Sequence, residues 1–181
     1  MIDFNMVDAV DAEAIGDPGA RTFRIRVRSG ANYAALWLEK EQLSALGRGI
    51  SQLLADRAPQ QRGAPVPRAV PVGDFTLHPD VDMQLVRLGI DFQDAPPRVI
   101  LLADDQEGFD RGDTPTFRME MTRAAALGLV RSIVDVVAAG RPRCPLCSRP
   151  MEADGQHFCP GSDGHSQLLP IPGPEDDIAN Q

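Results

Sequence analysis

L-W-L-E-K-E-Q-L-S-A-L-G-R-G-I-S, running from Leu36 to Ser51, changes its apolar period partway along. Tyr33 to Leu38 is extended and apolar. From about Lys40 to Arg57 the residues Leu43, Leu46, Ile50, Leu53 and Leu54 fall on one helical face. A strand that runs straight into an amphipathic helix buries that face against a sheet, so the passage predicts an α+β fold. A second passage, F-R-M-E-M-T-R-A-A-A-L-G-L-V-R-S from Phe117, has the same shape. Set above one another, the two place Glu39 over Glu120, Ala45-Leu46-Gly47 over Ala126-Leu127-Gly128, and Ser51 over Ser132, at one offset (120 − 39 = 81). We therefore expect an antiparallel sheet with two covering helices, built as a duplicated strands-then-helix unit. A mid-helix glycine costs roughly 1 kcal/mol relative to alanine, so Gly47 and Gly128 are expected at equivalent places facing packed backbone.

Upstream of the first passage, R-T-F-R-I-R-V-R alternates, with Phe23, Ile25 and Val27 on one face and Arg24, Arg26 and Arg28 on the other. The arginine row reads as a solvated outer sheet face. Ser29 to Asn32 is turn chemistry, which makes a hairpin with Tyr33 to Leu38. Asp56 to Asp74, with Pro59, Pro65, Pro67 and Pro71, supports neither helix nor central strand and reads as a linker. Beyond it, Phe75 to Leu77 reads as a short strand, Val86, Leu88, Ile90 and Phe92 alternate, and Arg98 to Ala103 reads as a buried strand. Asp104 to Asp113 is an acidic loop without EF-hand spacing, read as a solvated turn rather than a cation site. Thr122 is placed to cap a helix from Ala124 to Ala139, buried through Leu127, Val130, Ile133, Val134 and Val137 and ended by Gly140 and Pro142. The expected organisation is a first half over 1–58, a linker over 59–74, a second half over 75–140, a metal-binding knuckle over 141–167 and a flexible acidic tail over 168–181.

The knuckle, R-P-R-C-P-L-C-S-R-P-M-E-A-D-G-Q-H-F-C-P-G-S-D-G-H from Arg141 to His165, holds every cysteine and two of the three histidines. Thiolates and imidazoles gathered this way fit a tetrahedral zinc ion, with C-x-x-C as the turn that aims two sulfurs at one point. Cys144, Cys147 and Cys159 supply three ligands, and His157 and His165 compete for the fourth place. His157 is favoured, because residues two apart in an extended H-F-C segment share a face. Four protein ligands leave no open position, which makes the zinc structural. A thioredoxin-like redox pair would need a thiolate at a helix N-terminus, whereas this motif follows a helix and is flanked by prolines. A catalytic zinc, with one histidine spared and a water as the fourth ligand, is the other metal reading.

The chain has 181 residues, 43% of them hydrophobic, and a net charge of −8. That is enough for a packed core. The acidic balance gives no field drawing the protein to nucleic acid or anionic membranes. No stretch approaches the ~20 apolar residues of a membrane span, and an odd set of cysteines suits a reducing compartment, so a cytoplasmic location is expected.

G-D-P-G-A-R-T-F at Gly16 to Phe23, L-E-K-E-Q at Leu38 to Gln42, and C-P-L-C with G-Q-H-F-C-P near the C-terminus resemble the domain-of-unknown-function 3090 family (DUF3090), found largely in actinobacteria. The resemblance covers the chain to about His165. It implies a bacterial domain whose pattern includes the C-terminal cysteines and the histidine two places before the third, in support of His157. It transfers no catalytic residue. None of the nucleophile, P-loop, dinucleotide or H-E-x-x-H patterns occurs. The favoured expectation is a non-enzymatic adaptor that binds another protein. The alternative is a hydrolase or nucleotide-handling enzyme with a site between the halves lined by Arg24, Arg26 or Arg28.

Overall fold

The computed structural model describes residues 1–17, 20–57, 75, 78–112, 114–139, 144, 146, 147 and 159. The linker over 59–74, the tail over 168–181, Thr76, Leu77, His157 and His165 lie outside the described residues. The chain divides into two compact units, Met1–Gly140 and Arg141–Gln181.

In the first unit the elements are β1 (Ile2–Met6), β2 (Ala9–Ile15), β3 (Thr22–Ser29), β4 (Asn32–Leu38), α1 (Lys40–Asp56), β5 (Val81–Gln84), β6 (Arg87–Asp94), β7 (Pro97–Asp104), α2 (Gln106–Arg111), β8 (Phe117–Met121) and α3 (Arg123–Ala138). They form two four-stranded sheets, ordered β2-β3-β4-β5 and β1-β8-β7-β6. Each is an antiparallel meander with one parallel edge strand, β5 beside β4 and β1 beside β8.

The two halves repeat one topology, with an exchange of strands. β1 to α1 is one copy and β5 to α3 the other, and the first strand of each copy joins the other copy's sheet. The inward ladders match rung for rung: Ala14, Phe23 and Leu38 against Phe92, Val99 and Met121; Ala12, Ile25 and Leu36 against Ile90, Leu101 and Met119; Val10, Val27 and Ala34 against Leu88, Ala103 and Phe117. The two crossings between sheets are built alike. The Val7 amide donates to the Glu120 carbonyl as that of Leu85 donates to Trp37, and the Asp8 amide to Arg28 as that of Val86 to Asp104.

The offset differs from the sequence alignment. The helix caps, Glu39 and Thr122, lie 83 residues apart (122 − 39 = 83). At that spacing the buried Leu43, Leu46 and Ile50 match the buried Ala126, Leu129 and Ile133. A slip of two residues leaves a strand facing the same way, which is why Leu36 and Phe117 align in sequence although they are not equivalent in the fold. In a helix the same slip turns the face by about 200°. The paired-glycine expectation fails for this reason. A methyl added at Gly47 would lie 3.0 Å from Ile133 Cγ2 where α1 crosses α3, whereas one added at Gly128 would meet nothing within 4 Å. The stripe expected on α3 is corrected too: Ile133 is buried and Leu127, Val130 and Val137 are partly so, but Val134 is 60% exposed while Ala126 and Leu129 are buried.

Two further expectations change. Phe75 is not in a strand; among the described residues the next strand after α1 is β5, paired to β4 from Ala34↔Val81 to Trp37↔Gln84. The acidic stretch from Asp104 is mostly exposed, as expected, but it forms the helix α2 rather than a turn, and its first residue is buried. Asp104 is 2% exposed and accepts from the Thr116 amide at 2.8 Å and from Arg87 at 2.7 Å, while Asp105 caps α2 through the Gly108 amide. Gly108 is held against this lock: an added methyl would fall 1.8 Å from Thr116 Oγ1. Gly108→Ala is therefore expected to destabilise the fold by roughly 1–3 kcal/mol, read as a lower denaturant midpoint.

Candidate metal centre

In the second unit the described residues are Cys144, Leu146, Cys147 and Cys159. Cys144 and Cys147 come from the C-P-L-C turn, and Cys159 arrives from fifteen positions further along. The three Sγ atoms lie within 4.8 Å of one another, with Cys144 and Cys159 at 3.6 Å. None of the three is in a disulfide. Sulfurs about 2.3 Å from a tetrahedral ion sit about 3.8 Å apart, so this cluster can hold one metal ion between its thiolates. The Leu146 amide points at the Cys144 sulfur at 3.4 Å. Cys144 and Cys159 are 5% and 4% exposed and Cys147 is half-buried.

The other charged groups singled out in the sequence are engaged elsewhere, in the first unit. The arginine row of β3 is not a bare solvated face. Arg26 binds Asp11 through two hydrogen bonds, 2.9 and 2.6 Å, and Arg24 meets Glu13 at 2.6 Å. Arg24 lies over the Trp37 ring and Arg26 over Phe75. The hydrogen bond to Asp11 raises the Arg26 pKa, outweighing burial, so the guanidinium stays charged. The carboxylates come from β2, whose D-A-E alternation places Asp11 and Glu13 directly across from Arg26 and Arg24. The signal for this pairing is the D-A-E alternation itself, which the strand reading of β3 alone did not use. A groove of about 330 Å³ is lined by Gln42, Ala45, Leu46, Gly49, Leu88, Gly89 and Ile90, with none of the β3 arginines among them.

On the other sheet Glu120 is buried between Arg98 and Arg118, and Arg118 also reaches Asp3. The hydrogen bond from Arg98, then that from Arg118, lowers the Glu120 pKa. At Asp104 burial pushes upward, but Arg87 and Thr116 together prevail and the pKa is lowered. Unfolded, both groups bind protons more readily, so their stabilisation is complete above the ordinary carboxylate range and is lost as pH falls through the depressed folded values. Urea midpoints should hold near neutrality and drop below about pH 4. Glu120→Gln should make that drop shallower, and an unchanged acid limb would count against the pair.

The family model described as "Protein of unknown function (DUF3090)" matches residues 2–159. No curated protein and no solved structure matches. No described helix is long and apolar enough to cross a membrane.

Proposed function

We propose, for a chain that belongs to the DUF3090 family, that the C-terminal unit holds a structural zinc ion through Cys144, Cys147, Cys159 and His157. The observation that carries this reading is the clustering of three thiols at the spacing of a tetrahedral sulfur site. Zinc suits a donor set of three thiolates and one imidazole, and four protein ligands leave no place for a reacting water. The ion then does the work of a core in a unit too short to build one, since metal binding free energy becomes folding free energy.

The protein itself we read as a cytoplasmic adaptor that binds another protein. Supporting this, Arg24 and Arg26, two of the three arginines offered for an enzyme site, are spent on Asp11 and Glu13 and stacked on aromatic rings, and none of the β3 arginines lines the groove. Removing zinc should therefore abolish partner recovery in affinity co-purification from the native host, with the first unit still folded. Recovery of the same partners by zinc-stripped protein would count against a role for the knuckle in binding.

A further inference from the structure

Resting on the reading of the three sulfurs as zinc ligands, we infer that the centre is a peroxide-responsive switch entered through Cys147. The thiols differ in access. Cys144 and Cys159 are 5% and 4% exposed, whereas Cys147 is half-buried beside Leu146, which is 67% exposed. An oxidant must touch the sulfur it oxidises, so access selects Cys147 among the three thiolates.

The chemistry closes within the cluster. The Cys147 sulfur attacks one oxygen of hydrogen peroxide, the O–O bond breaks, and hydroxide leaves, giving a sulfenic acid. Both buried sulfurs lie within 4.8 Å. One of them attacks the Cys147 sulfur, a disulfide forms, and a second hydroxide leaves. Two thiolates have given up two electrons, peroxide has accepted them, and the two hydroxides take up protons to become water. Zinc keeps its charge throughout, since it has no accessible redox change.

The number of cysteines decides whether the ion stays. The sequence has three, so one disulfide removes two of the anionic ligands and leaves a single thiolate. One thiolate and one imidazole hold zinc poorly, and the ion departs. A four-cysteine site would keep two thiolates after the same event. A thiol reductant returns two electrons and restores all three ligands.

The test uses the full chain, with zinc measured before oxidation. Hydrogen peroxide is added stepwise, released zinc is followed with a chromogenic chelator, and sulfenic acid is trapped with dimedone and mapped by mass spectrometry. The expected result is zinc release in proportion to peroxide, a dimedone adduct on Cys147, a disulfide joining Cys147 to Cys144 or Cys159, and recovery of zinc binding after reduction. Zinc retained under excess peroxide, or an adduct confined to Cys144 or Cys159, overturns the switch while leaving structural zinc intact. Protein that carries no zinc before peroxide overturns both.

Discussion

Phe117→Ala should lower the unfolding free energy by about 3–5 kcal/mol, the cost of emptying a buried aromatic site. Phe117 is 0% exposed, and its ring lies tilted against Phe4 with centroids 5.1 Å apart. It pairs with Ile2 on one side and Ala103 on the other, so it sits where the exchanged strand β1 meets the second copy's meander. The first copy has Ala34 at the matching rung. The larger ring in the second copy fills the space that Phe4 reaches into, and alanine there leaves a cavity. β1 has five residues and one strand neighbour, so it should loosen first. Hydrogen exchange should show the amides of Ile2 to Met6 losing protection while those of β3 and β4 keep theirs. A loss under about 1 kcal/mol would mean that the Phe4–Phe117 contact does not hold the exchanged strand.

The second large effect is at the knuckle. Cys147→Ser should abolish stoichiometric zinc binding, because a closed tetrahedral site that loses a thiolate holds its ion poorly. Structural zinc in finger peptides is worth an apparent ~10–16 kcal/mol. Here the loss should stay local, since the core of the first unit contains neither Cys144 nor Cys159. Amide protection after about Arg141 should vanish and that of α1 and α3 should persist. His157→Ala should reproduce the loss, and His165→Ala should bind zinc nearly as well as the parent. Global unfolding of the Cys147 variant would contradict the separation of the two units.

The sequence was most legible where one period ran unbroken. β3 and β4 came from F-R-I-R-V and Y-A-A-L-W-L, and the helix stripe of Leu43, Leu46 and Ile50 from its 3.6 spacing. β1 and β2 were missed although Ile2, Phe4 and Met6 alternate with Asp3 and Asn5, and Val10, Ala12 and Ala14 with Asp11 and Glu13. Their alanines and acids have low strand propensity, and only the partners across the sheet make them strands. α2 is six residues long, too short for a period to show, and it lengthens the link between β7 and β8 beyond the tight turn between β3 and β4. The duplication could be seen, but its register could not, because a two-residue slip is invisible in a strand and a reversal of face in a helix. Exchange of β1 and β5 between sheets lies beyond local pattern, since pairing across 115 residues for β1 (117 − 2) and 47 for β5 (81 − 34) leaves no periodic trace. At the knuckle, C-x-x-C spacing announced the turn, and the third cysteine converges on it as the metal reading required.

Metal analysis of the full chain, purified without chelator, tests the central claim most directly. The account predicts one zinc per chain, lost from the Cys144, Cys147, Cys159 and His157 variants and kept by the His165 variant. Protein with no bound zinc, or zinc lost only when His165 is replaced, would contradict it.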